Sequence, residues 1–222
     1  IPPYTQKRII NSIIEKSAQA IFTSHSPYVL EEFNPNQILV LFRNNLGFLR
    51  GVPANYPVKP KRYKEEFRKR FCEGLLASRV LIAEGRTEYD SYPACAKRLN
   101  ELHPNEFKSF DALGIAIINA ETDSQVAPIG EFYKKLGKEV FAVFDKQENG
   151  NLEEIKRSVH HYYEAPEKGF ENVLLKGIPS DILHEYAIQL VESGNWPSHY
   201  TKIPDKNMPI EEVEQLVHKF LK

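Results

Sequence analysis

The chain has 222 residues, of which 41% are hydrophobic and 27% charged, with a formal net charge of −1. This is the make-up of a soluble globular chain of one or two domains with a real core, and the near-zero balance gives no general argument for a polyanion partner. No apolar run reaches the length of a membrane-spanning helix. Ile1, Pro2, Pro3 and Tyr4 do not read as a signal peptide, and without Met they read as the interior of a longer protein. Cys72 and Cys95 belong to no CxxC or Cys/His cluster. Two reduced thiols in a cytoplasmic protein are therefore expected, not disulfides or zinc.

In residues 5–18, Ile9, Ile10, Ile13 and Ile14 recur at helical spacing and predict an amphipathic helix. Residues 20–23 form a short apolar run and predict a buried strand that ends in the turn Ser24-His25-Ser26-Pro27. A helical turn is expected over 28–33. Strands are expected at 37–43 and 48–52, joined by a turn through Asn44, Asn45, Leu46 and Gly47. Residues 53–60 hold three prolines and read as a linker, followed by a charged helix over 62–76. The basic run 59–70, with aromatics inside it, suits either phosphate contact or a solvated helix face.

The second half alternates. Strands are predicted at 79–83, 114–119 and 139–144, with helices at 87–99 and 126–136, the latter ended by Gly137 as its cap. Strand, helix, strand, helix, strand implies an α/β fold with a parallel sheet. Further helices are expected at 153–161, 181–192 and 210–221.

Parallel sheets bind ligands at the carboxyl ends of their strands. The first strand delivers Glu84, with Gly85 and then Glu88 behind it, and the third delivers Asp145. Clustered carboxylates repel one another and suit a hard cation. The plainer reading is that Glu84 and Glu88 cap the helix start, where acids meet a favourable dipole.

Two patterns carry a resemblance. Val80 to Glu88 (VLIAEGRTE) resembles the first Toprim motif, a hydrophobic strand followed by EGxxE, and Phe141 to Asp145 resembles the second, a hydrophobic strand ending in Asp. Ala20 to Leu30 (AIFTSHSPYVL) resembles the last strand and switch-histidine loop of an ABC-type ATPase. ATPase followed by Toprim is the order of the OLD (overcoming lysogenization defect) nucleases. The resemblance implies a Toprim-like parallel sheet flanked by helices. A piece of ATPase domain (1–55) and a linker helix (56–76) would precede the Toprim nuclease domain (77–180), and a helical extension (181–222) would follow it.

The resemblance further implies a DNA endonuclease or nickase using magnesium or manganese, two ions in all, with calcium an alternative. Glu84 is the expected catalytic carboxylate, and Glu84, Glu88, Asp145 and Glu171 are the expected metal ligands. Glu171 is carried over from a Gly-Phe-Glu element, and Asp123 is a spare acid whose plainer role is a solvated loop. The family's DxD motif is incomplete, because the chain reads Asp145-Lys146-Gln147. His25 is expected to sense ATP, though only with a full ATPase domain, since no GxxxxGK[ST] is present. The family's C-terminal lysine is assigned to no residue, Lys222 included. DNA is the expected partner, with a homodimer in the full-length protein, no membrane, and phage defence as a role by analogy. The alternatives are a Toprim domain of topoisomerase or primase type, and a non-catalytic metal-binding regulatory module.

Overall fold

The computed structural model describes residues 1–44, 46–57, 65–147 and 149–221. Asn45, the end of the linker and start of the basic run (58–64), Glu148 and Lys222 therefore lie outside the described residues. The chain divides into two compact units, Ile1–Glu164 and Ala165–Lys222.

The first unit opens with helix α1 (Pro3–Lys16) and the short α2 (Pro27–Leu30). Strands β1 (Leu39–Arg43) and β2 (Leu49–Pro53) then pair antiparallel, as the turn signal predicts. Val40 and Val52 pack on the core, while Leu39, Leu41 and Leu49 on the other face are exposed. Residues 20–23 form no strand, and Ile21 is 86% exposed. An apolar run becomes a buried strand only where a neighbouring strand takes its backbone bonds, and no described strand pairs with this one.

Helix α3 (Glu65–Leu76) leads into four parallel strands: β3 (Arg79–Ala83), β4 (Ile115–Asn119), β5 (Glu139–Phe144) and β6 (His161–Glu164). Their order across the sheet is β4-β3-β5-β6. Helices α4 (Arg86–Leu102), α5 (Asp123–Lys135) and α6 (Asn149–Ser158) connect them. This is the α/β architecture that the alternating pattern implied.

Central strand β3 is buried on both faces, and Val80, Ile82, Ile118, Val140, Ala142 and Phe144 form the sheet side of the core. Helix α5 covers them with Val126, Ile129, Phe132 and Tyr133, and Phe71, Cys72 and Leu75 of α3 join the same cluster. The Cys72 thiol is fully buried, and burial pushes its pKa up to about 12, so it acts as a small apolar residue. Gly137 ends α5 at φ +74°. Its N–H bonds to the carbonyl of Lys134, and the N–H of Lys138 bonds to that of Tyr133.

Strand β6 carries no periodic signal, and the helix expected over 153–161 reaches only its first residue, His161. Its four residues, His-Tyr-Tyr-Glu, are all exposed at the sheet edge. Its register comes from β5, with Val143 facing Tyr163 and Phe144 facing Glu164.

The second unit is helical: α7 (Phe170–Gly177), α8 (Ser180–Glu192) and α9 (Ile210–Leu221). Leu175, Leu183, Ala187, Val213 and Val217 make its core, with Ile178, Trp196 and Met208 packed on it.

Candidate metal centre

The sheet order fixes where a ligand site can form. After β3 the chain moves to β4 on one side, and after β5 it moves to β6 on the other. The connections part between β3 and β5, which opens a crevice at their carboxyl ends. Ala83 is in register with Val143, so Glu84 and the Phe144–Asp145 step stand opposite each other at that crevice.

The two ends are tied together. The N–H of Glu84 bonds to the carbonyl of Val143 at 3.1 Å, and the N–H of Asp145 donates to Oε2 of Glu84 at 2.9 Å. The amide Nε2 of Gln147 donates to the same oxygen at 3.0 Å. Burial raises the Glu84 pKa above the ordinary carboxylate range. The Asp145 hydrogen bond pulls the other way, and the charges of Asp145, Asp123 and Glu88 add to the rise. Four acids thus share one electrostatic neighbourhood.

Glu88 lies one helical turn into α4 and is only 7% exposed. Its Oε2 accepts the N–H of Gly85 at 3.1 Å, so it caps the helix from inside. Gly85 is extended, at φ −128°, and its contribution is room: a Cβ there would lie 2.8 Å from that carboxylate oxygen.

Asp123 begins α5 and accepts the N–H of Ser124. The turn before it holds Glu121 at φ +66°, a left-handed conformation uncommon for a side-chain-bearing residue. The Asn119 side chain accepts the Glu121 N–H at 2.8 Å and supports that turn.

The two remaining sequence candidates belong to other elements. Glu171 lies in the second unit, on the first turn of α7 beside Gly169. His25 is exposed in the irregular segment before α2.

Three residues that sequence reasoning passed over complete the crevice. Asn151 donates to Oε1 of Gln147 at 2.5 Å, and Glu164 accepts the Gln147 N–H at 2.8 Å. Tyr92 is one turn beyond Glu88. Burial first, then the charges of Glu88 and Asp145, push its phenol to about 12. It stays protonated at neutral pH and is a hydrogen-bond donor in character, not a nucleophile. The i, i+4 spacing from Glu88 was the available signal.

Residues 75–146 match the family model described as the overcoming lysogenization defect protein-like Toprim domain. Over this segment the chain is similar to OLD-like Toprim domains. The match spans β3 to the end of β5 and so includes Glu84, Glu88 and Asp145. No curated protein matches the chain. Toprim domains are typically metal-binding catalytic domains that act on nucleic acids.

The donor set of this Toprim crevice suits a hard cation. Magnesium takes oxygen ligands, often one or two carboxylates with waters completing the shell, and Glu84 and Asp145 answer that demand. Among the described residues no three His, Cys, Asp or Glu side chains converge into a metal cage. Among the described residues this crevice offers Glu84 and Asp145, with Glu88 and Asp123 contributing charge nearby.

Proposed function

We propose that this Toprim domain is a divalent-cation-dependent DNA endonuclease or nickase that hydrolyses phosphodiester bonds. The observation that carries the reading is the pairing of Glu84 and Asp145 at the carboxyl-end crevice of β3 and β5. Glu84 is the catalytic carboxylate and, with Asp145, holds the ion. When bound, a magnesium or manganese ion neutralises phosphate charge and lowers the pKa of water.

The chain's own residues do the rest. The raised pKa of Glu84 brings it nearer the range useful to a proton acceptor. The Asp145 N–H and the Gln147 amide fix its orientation. Glu88 holds the start of α4 in place through Gly85 and adds negative charge to the ion's surroundings. Glu171 is a further ligand on the resemblance alone. DNA as partner, gating by an ATPase domain through His25, dimerisation and a role in phage defence belong to the same proposal.

The test is magnesium- or manganese-dependent nicking of supercoiled plasmid by the chain, and its loss in Glu84→Ala. Retained cleavage by the variant removes the assignment.

A further inference from the structure

We propose that Gln147 is a positioning residue that limits this crevice to a single divalent cation. The inference rests on the nuclease reading above and deepens it.

The argument begins at one oxygen. Oε2 of Glu84 accepts two N–H bonds, from the Asp145 backbone at 2.9 Å and from Gln147 Nε2 at 3.0 Å. A carboxylate oxygen has two lone-pair positions, so Oε2 is filled and Oε1 is left to face an ion.

Gln147 cannot easily give this contact up. The same Nε2 donates to the Asp145 carbonyl at 3.0 Å, and its Oε1 accepts from Asn151 at 2.5 Å. Its own backbone N–H donates to Glu164 at 2.8 Å. Turning the amide over would set its oxygen against the Glu84 carboxylate and the Asp145 carbonyl, and its NH₂ against the NH₂ of Asn151. The contacts to the Glu84 and Asp145 oxygens would become repulsive whichever way Asn151 turned, so these two acceptors fix the orientation.

Two cations in one site stand roughly 4 Å apart and repel. They are held by carboxylates that bridge them and by enough negative charge to offset the repulsion. Here the position two residues after Asp145 supplies neither. An amide N–H, the positive end of its dipole, points where an acid would offer oxygen, and it covers the oxygen through which Glu84 would bridge. One ion on Glu84 and Asp145 satisfies the site.

The experiment counts Mn²⁺ bound to the full chain, from the electron paramagnetic resonance signal of the free ion, for the native protein, Gln147→Glu, Gln147→Asp and Glu84→Ala. Gln147→Glu keeps the length and the Asn151 contact but replaces the donor with an acceptor; Gln147→Asp guards against a variant that fails to fold. Circular dichroism and thermal melting without metal accompany each titration. The native chain binds one Mn²⁺, at least one Gln147 variant that keeps the native spectrum binds two, and Glu84→Ala loses the site. The acidic variants melt lower than the native chain without metal and recover with Mn²⁺, a response that a merely structural glutamine would not give.

Two Mn²⁺ on the native chain would overturn the inference and leave the nuclease reading standing. One Mn²⁺ on folded Gln147 variants, with no metal-dependent recovery, would also overturn it. Equal, negligible binding by the native chain and Glu84→Ala would remove both.

Discussion

The backbone N–H of Asp145 donates to Oε2 of Glu84 at 2.9 Å, across the gap where the connections of the sheet diverge. Sixty-one positions separate these residues in sequence. Their meeting follows from the β3–β5 register, which sets Ala83 beside Val143 and leaves each acid one residue beyond its strand. Two acids so placed form a paired site only because a parallel sheet brings all its carboxyl ends to one edge.

The first prediction concerns the cost of that pairing. The Glu84 pKa is raised in the folded chain, chiefly by burial. Stability tied to this group is therefore full below the unfolded value of about 4.3 and is lost as pH rises through the folded value. Glu84→Gln keeps an acceptor for both N–H donors and carries no charge. It should raise the metal-free melting temperature at pH 7.5 by a few degrees and by less at pH 4.5. Equal melting at both pH values would contradict this origin for the shift.

A second prediction follows from the space beside Gly85. A Cβ there meets Glu88 Oε2 at 2.8 Å, and that oxygen ends a flexible side chain. Gly85→Ala should therefore expel the Glu88 carboxylate without breaking the fold. The loss is that of one helix cap, about 1 kcal/mol in urea denaturation, with weaker Mn²⁺ binding because one acid has left the neighbourhood. Unchanged stability and unchanged Mn²⁺ affinity would show that Glu88 does not act from its capped position.

The third prediction tests the packing behind the site. A Cβ on Gly74 would lie 2.6 Å from the Tyr133 hydroxyl and 2.9 Å from its ring, and Tyr133 is fully buried. A ring wedged among Tyr56, Phe71 and Phe132 has nowhere to move. Gly74→Ala should cost about 1–3 kcal/mol. Adding Tyr133→Phe removes the nearest atom, so the double variant should be less destabilised than the two single effects summed.

A fourth prediction is a pH dependence on the edge strand. The N–H of Val140 donates to Nδ1 of His160 at 3.0 Å, so this nitrogen is an acceptor and the ring is neutral. Burial, then the charges of Lys134 and His161, lower the His160 pKa from its ordinary value. The bond contributes fully above the unfolded value of about 6.5 and is lost as pH falls through the folded value. His160→Asn retains an acceptor that does not titrate. The stability of the native chain relative to this variant should fall between pH 7.5 and pH 5.5, on a shallow slope because the residue is exposed. A flat difference would sink the assignment.

Much of the central fold could be read from residue pattern. Strands 79–83 and 139–144 were bounded correctly because continuous apolar runs between polar ends have few other uses. The acids at their ends were legible for the same reason. Strand β6 was not, since an exposed edge of His-Tyr-Tyr-Glu has no periodicity and takes its form from β5. The run at 20–23 misled because composition reports hydrophobicity but not whether a neighbouring strand exists. Gln147 was legible as a departure from DxD. Its action as a donor to Glu84, backed by Asn151, depended on tertiary placement that no local spacing encodes.

The most direct test is a crystal grown with manganese and measured at the manganese absorption edge. Anomalous density should appear at the carboxyl ends of β3 and β5, about 2.1 Å from a carboxylate oxygen of Glu84 and one of Asp145, and should vanish in Glu84→Ala. Density that sits elsewhere, or that persists in the variant, would contradict the account.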